Sequence, residues 1–431
     1  MRGWKMLPVS LVLLLTASTS FAAGFRLPEA GAKAMGMGFA FTAQADDPSA
    51  IYFNPAGLTQ LKGQNVMVGL TYVRENGGEF TGTTPLTFNG ETFDTRSETQ
   101  KSLNFYIPNA YYTRTTNSGN VSYGVGIFAP FGLGQEYNNK ETSIFRNQIT
   151  KIDLQTIVVN PTIAFKISEI LSVGLGIDWM YGRATLEQTP VAPGVGNLYD
   201  GKLKGDGDTW GYNFGLLLKP TENFRIGANY RSPFTLRIKD GDVTFSNVSP
   251  AYASGLLGPA PSNMNANAKI AMPATFALGA AYTMGKLTVE ADADWTFWHS
   301  FGSLPIELRN PVPTAPSTNA QKRWEDVCAL RLGAEYRVTD PLALRAGFVY
   351  DPTPVPADTL GPELPDSTRL NYMVGAGYKI GPWTIDGAFM YIDKKDRTVS
   401  NFRFEGANPV GQNGTWSGNA WLAGLDVGYR F

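Results

Sequence analysis

The chain has 431 residues, with 36 basic and 37 acidic side chains and a formal net charge of −1. Without a charge excess or a basic stripe, nucleic acid is not an expected partner, and the slightly negative mean hydropathy argues against a bundle of membrane helices. A single cysteine, Cys328, rules out an internal disulfide, so bridges do not hold this fold together.

The first predicted element is a leader. Arg2 and Lys5 precede the apolar run Leu7–Ala17, which is too short to cross a bilayer as a helix of roughly 20 residues. Ser20 and Ala22 then supply the small residues of a cleavage site. Residues 1–22 therefore read as a secretory signal peptide, with the mature chain beginning near Ala23. Residues 23–63 lack strict alternation. They carry Gly31, Gly36, Gly38 and Ala40 among Met35, Met37, Phe39 and Phe41, then Asp46–Asp47 and Asn54-Pro55-Ala56. Such a stretch is too apolar for a solvated tail.

From residue 64 onward the pattern has period two. Leu171–Tyr181 places large apolar residues at every odd position, with Ser172, Gly174, Gly176, Asp178 and Met180 between them. A strand sends these two sets to opposite faces. Comparable segments are predicted over Gln64–Val73, Leu103–Arg114, Val121–Phe128, Ile152–Ile167, Leu171–Glu187, Asp208–Leu218 and Asn223–Ile238. They continue over Met272–Thr283, Lys286–Trp298, Arg323–Val338, Leu342–Asp351, Arg369–Ile380, Trp383–Asp393 and Trp416–Phe431. That makes about fourteen strands, an even number as bacterial barrels require, and all but the short third reach the roughly 9–11 residues of a tilted membrane crossing.

The connections alternate in length. Short turns are predicted at Thr115–Asn120, Ser168–Ile170, Lys219–Glu222, Met284–Gly285, Thr339–Pro341 and Gly381–Pro382. Long loops are predicted at Arg74–Ser102, Ala129–Lys151, Gln188–Gly207, Lys239–Ala271, His299–Lys322, Pro352–Thr368 and Lys394–Thr415. Short periplasmic turns and long external loops mark outer-membrane barrels. In Lys286–Trp298, Thr288, Glu290, Asp292, Asp294 and Thr296 share one face. Without partners they cannot sit in a dry core, so a wet lumen is expected.

These features predict an all-β fold, a transmembrane antiparallel β-barrel over 64–431. Eight strands already give a filled interior, so fourteen enclose a wider lumen; residues 23–63 are expected inside it as a hatch, or plug. The chain stops on Phe431, at an alternating position after Val427 and Tyr429, as the last strand of an outer-membrane protein does. Outer-membrane lipid and the barrel-assembly machinery are accordingly expected partners.

Ala23-Gly-Phe25, the small-residue run Gly31–Gly38, Ala45–Ala50 and Phe53-Asn-Pro-Ala-Gly-Leu58 together resemble the N-terminus of the FadL/TodX family. Asp351–Pro356, Leu364–Asp366, Trp295–Trp298 and the terminal phenylalanine extend the likeness over the mature chain. The resemblance implies passive outer-membrane transport of hydrophobic compounds, either long-chain fatty acids or hydrocarbons. It implies a hatch involving Phe25, Asn54, Pro55, Ala56 and Gly57, with capture of the cargo by external loops and release sideways into the membrane. A wall kink maps onto Pro130, Phe131 and Gly132, where proline lacks an N–H and glycine packs poorly. Of two basic residues that hold a carboxylate in fatty-acid members, one corresponds to Gln188 and the other to Lys322, with Arg183 nearby as a substitute. The apolar loop residues Tyr252, Leu256 and Leu257 are expected to form an external capture groove or to pack on other loops.

Three rivals remain on the sequence. A surface adhesin or phage receptor would use the long loops but has no need of a hatch. An outer-membrane hydrolase needs a positioned imidazole, and the one histidine, His299, has no recognisable partner motif; no enzyme activity is expected. An open porin conflicts with the apolar N-terminal segment. One histidine and one cysteine cannot build a His/Cys metal cluster, so neither metal nor cofactor is expected.

Overall fold

A computed structural model of the chain describes residues 24–87, 94–192, 194–255, 257–405 and 408–431; the expected signal peptide, Ala23 and Leu256 lie outside these. Fourteen strands form the wall. They are β1 (Gln64–Glu75, resumed at Glu79–Thr83), β2 (Arg96–Thr99, then Leu103–Thr115), β3 (Val121–Phe128, then Gly132–Glu136), β4 (Lys151–Lys166) and β5 (Leu171–Gln188). Next come β6 (Asp200–Leu218), β7 (Phe224–Arg231, then Phe234–Ser246), β8 (Met264–Met272, then Thr275–Met284) and β9 (Leu287–Thr296, then Ser303–Leu308). The circuit ends with β10 (Thr318–Gln321, then Val327–Arg337), β11 (Leu342–Asp351), β12 (Arg369–Ile380), β13 (Trp383–Ser400) and β14 (Asn413–Arg430).

Neighbours in sequence pair antiparallel, and β14 returns to β1 from Asn65↔Arg430 to Glu75↔Ala420. Closure satisfies the edge groups that lipid cannot. The outward face carries exposed apolar side chains such as Leu175, Ile177, Leu330, Leu332 and Val374. Aromatic residues bound this band: Tyr106, Tyr181, Trp210 and Tyr372 near the long loops, and Tyr123, Tyr282, Trp383 and Phe431 near the short turns. In water such a surface would aggregate; in a bilayer it is the required solvent match.

Two expectations need correction. Several segments read as loops are strand. β6 begins at Asp200, β7 runs to Ser246 and β8 starts at Met264. The wall rises beyond the lipid band, where outward positions turn polar (Lys202, Lys204, Asp206) and the apolar half of the alternation is lost. The lumen is also drier than expected at β9. Glu290, Asp292 and Asp294 are buried, because residues 24–63 lie inside the barrel and supply their partners.

Candidate functional site

The lumenal segment holds two short helices, α1 (Ala32–Gly36) and α2 (Ala50–Phe53), and a 3-10 turn, Pro55–Gln60. Its small residues let its backbone lie against the wall. An added Cβ at Gly174 of β5 would stand 2.4 Å from the Pro55 carbonyl carbon, so the small face of that strand is the imprint of the segment. Gly57 is as tightly placed, its Cβ position 2.3 Å from the Ala45 carbonyl oxygen.

Such close approach leaves amides needing acceptors, and wall carboxylates provide them. Asp292 accepts from the Phe41 and Thr42 N–H groups, both at 3.0 Å, and Glu290 from those of Ala43 and Gln44 at 2.6 and 2.9 Å. Asp426 on β14 accepts from the Ala32 N–H at 2.5 Å. Asp294 bridges Arg26 of the segment and Arg331 of β10 at 2.9 and 2.6 Å. Asn54 caps the 3-10 turn, accepting from the Ala56 N–H at 3.1 Å, with Pro55 at the first turn position. Its amide donates to Thr42 O at 2.7 Å and to Leu216 O of β6 at 3.0 Å. Asn-Pro-Ala thus starts a turn and also ties segment to wall.

Beside this segment the wall is interrupted. β3 stops at Phe128, paired with Val158, and resumes at Gly132, paired with Gln155. Three residues of β3 oppose two of β4, and the odd residue reverses the alternation, so that Leu133 joins Phe128 on the inner side. The intervening backbone turns to the segment instead of β2. Leu27 N–H donates to Pro130 O at 2.8 Å, and Gly132 N–H to Phe25 O at 2.9 Å. The β2–β3 ladder covers only Ala110–Thr115 with Ser122–Ile127. Leu103–Asn109 of β2 pairs with β1 alone, and Pro108 within it needs no acceptor for an N–H. Above the interval the strands meet again through the Gln100↔Tyr137 bridge and the Lys101–Glu136 ion pair at 2.9 Å.

Two cavities lie in series on the loop side. An external basin of about 770 Å³ is bordered by Gln188, Tyr199, Phe245, Leu308, Lys322 and Glu363. Below it a pocket of about 70 Å³ is lined by Leu133, Leu154, Leu186, Ile270, Leu304 and Ile306, with Phe25, Phe301 and Trp324 as its aromatic part. Phe25 packs at 5.3 Å from Phe301, 5.6 Å from Trp324 and 6.1 Å from Phe131 between ring centroids, so it separates the pocket from the β3 break. Lys322 and Glu363 border both cavities and form an ion pair between them.

The structure therefore gathers Phe25, Lys322 and the start of the resumed β3 around one pocket, and sets Gln188 in the basin above. Arg183 does not join them. It alternates with the inward Ala184 and Leu186, faces outward and donates to Gln155 at 2.8 Å. Tyr252 and Leu257 do not line the basin either. Tyr252 is buried in a loop cluster with Leu198, Tyr199 and Ala315, donating to Thr314 Oγ1 at 2.9 Å, and Leu257 packs against that cluster. His299 does have a partner, since Nδ1 lies 2.8 Å from Asp326 at an exposed rim position. Glu363 was missed because a loop acid gives no periodic signal. Phe301 and Trp324 were visible only as aromatics near strand ends.

Comparison with known proteins agrees with this architecture. The family model described as outer membrane protein transport protein (OMPP1/FadL/TodX) matches residues 13–431. A long-chain fatty acid transport protein of Salmonella typhi is 25% identical, with 98% of each chain covered. Among solved structures, a Pseudomonas aeruginosa FadL homologue superposes with a TM-score of 0.79 at 20% identity, covering 95% of this chain and 100% of its own. The Pseudomonas putida toluene transporter TodX does so at 0.70 and 18% identity, with 95% and 100% covered. With a closed barrel, a filled lumen and a family match over nearly its whole length, the chain belongs to the OMPP1/FadL/TodX family of outer-membrane transport proteins.

Proposed function

We propose that this protein carries hydrophobic molecules passively from the external medium into the outer membrane itself. The cargo is collected in the external basin, passes the Lys322–Glu363 pair into the apolar pocket, displaces the hatch near Phe25 and leaves through the wall between β2 and β3. The observation that carries this reading is the missing β2–β3 ladder over Leu103–Asn109, next to a β3 break whose backbone is bound to the lumenal segment. A relative named as a fatty acid transporter and a neighbour titled a toluene transporter set the range of cargo.

Sideways release suits such cargo. Each buried CH₂ is worth roughly 0.8 kcal/mol, so a long chain resists release into the aqueous periplasm, and a route into lipid avoids that step. The driving force is downhill partition. Uptake of labelled oleate and toluene, side by side in cells lacking their own transporter, tests the reading. Gly132→Trp in the same cells should assemble normally and lower uptake by about tenfold or more by filling the opening. Unchanged uptake by a correctly assembled variant rejects lateral exit.

A further inference from the structure

The inner pocket is lined mainly by apolar side chains, so the few charges beside it weigh heavily on what it accepts. The charged side chains that reach it are Lys322 and Glu363, one base and one acid; Asp153, between the inward Ile152 and Leu154, points outward and accepts from the Gln155 amide at 3.3 Å. Lys322 is buried and its ammonium is bound to the Glu363 carboxylate. The neighbouring Arg323 is likewise paired, with Asp358. Both acids come from the loop between β11 and β12, and that loop is fixed at several points. The Thr359 hydroxyl donates to Lys322 O at 2.7 Å, the Tyr137 hydroxyl of the loop after β3 to Pro362 O at 2.8 Å, and the Asn401 amide to Leu360 O at 3.0 Å. Glu363 is thus presented to Lys322 by an anchored loop.

We propose that Glu363 determines the charge of the cargo. It occupies the Lys322 ammonium from within the chain, so the pocket takes neutral hydrophobic molecules (hydrocarbons, long-chain alcohols and esters) in preference to fatty-acid anions. A carboxylate that enters must displace Glu363 and then lies beside that acid in an apolar site, whereas a neutral chain of equal length breaks no ion pair. This inference rests on the transport reading above and deepens it.

The test is a matched pair of ligands, dodecanol and dodecanoate, bound to the purified full-length barrel at a pH where the acid is ionised. Wild type should bind dodecanol about tenfold or more tightly than dodecanoate, and Glu363→Gln should tighten dodecanoate by a similar factor while leaving dodecanol within about twofold. Glu363→Asp, which keeps the charge, should retain the wild-type preference, and adding Lys322→Met to Glu363→Gln should abolish the gain. A merely structural role for the pair would shift both ligands together. If both ligands bind and the acid-to-alcohol ratio is the same in wild type and Glu363→Gln, the assignment of Glu363 is overturned and the transport reading stands. If heat-modifiable, folded protein binds neither ligand in any variant, both fall.

Discussion

Asn54 shows how much one side chain holds at the residue scale. It is fully buried, accepts from the Ala56 N–H and donates to Thr42 O and Leu216 O. Asn54→Ala deletes all three bonds and strands their partners, at a cost of about 2–4 kcal/mol. Asn54→Asp should be worse, although it keeps the cap. Its carboxylate would face two carbonyl oxygens that had been acceptors from the amide. The expected order of lost urea resistance is Asn54→Asp, then Asn54→Ala, then wild type. Permeability to a hydrophilic antibiotic should rise in the same order as the segment loosens. An Asp variant as stable as wild type would mean that the amide donations contribute little. The Asn-Pro-Ala turn was legible from turn chemistry alone; its tie to β6 was not, because Leu216 lies 162 residues away.

At the scale of elements, β9 was half legible. Its alternation separated Leu287, Val289, Ala291 and Ala293 from Glu290, Asp292 and Asp294, and the structure keeps those two faces apart. What the pattern could not name was the partner, and water was the default. The actual partners of Glu290 and Asp292 are consecutive N–H groups of residues 41–44, which the segment's close approach leaves without internal acceptors, and those of Asp294 are Arg26 and Arg331. Replacing Glu290 and Asp292 together by alanine removes the acceptors of four buried amides, each costing about 1–3 kcal/mol when unsatisfied. The wall ladder does not depend on these side chains. The barrel should therefore assemble while residues 41–44 detach. With Cys328→Ser as background and Ala45→Cys as reporter, maleimide labelling should be slow with the carboxylates present and fast without them. Equal labelling rates would show that the segment is held by packing instead. Strand ends beyond the lipid band stayed hidden for a related reason. Once outward residues become Lys202, Lys204 and Asp206, only the ladder distinguishes strand from loop.

For the whole molecule, wall and lumenal segment carry different parts of the stability. The wall closes through its own backbone ladder and lipid-facing side chains, both largely readable from period-two patterning and the alternation of short and long connections. The segment is held by inward polar groups whose spacing in sequence is too long to read. Deleting residues 24–63 should therefore leave an assembled, heat-modifiable barrel but open its lumen. The charges exposed along that lumen fix the sign of the outcome. Asp178, Glu290, Asp292, Asp294, Glu335, Asp386 and Asp426 would face Arg231, Arg331 and Arg345, and the segment's own Arg26 and Lys33, which now pair with Asp294 and Glu335, would be gone. An acid-rich constriction concentrates cations. In planar bilayers the deletion variant should give a large conductance with a reversal potential toward the cation side of a salt gradient, where the intact protein conducts little. Anion selectivity would mean that the lumenal carboxylates do not govern the pore. A closed, non-conducting deletion variant would mean that the wall, and not the segment, seals the lumen.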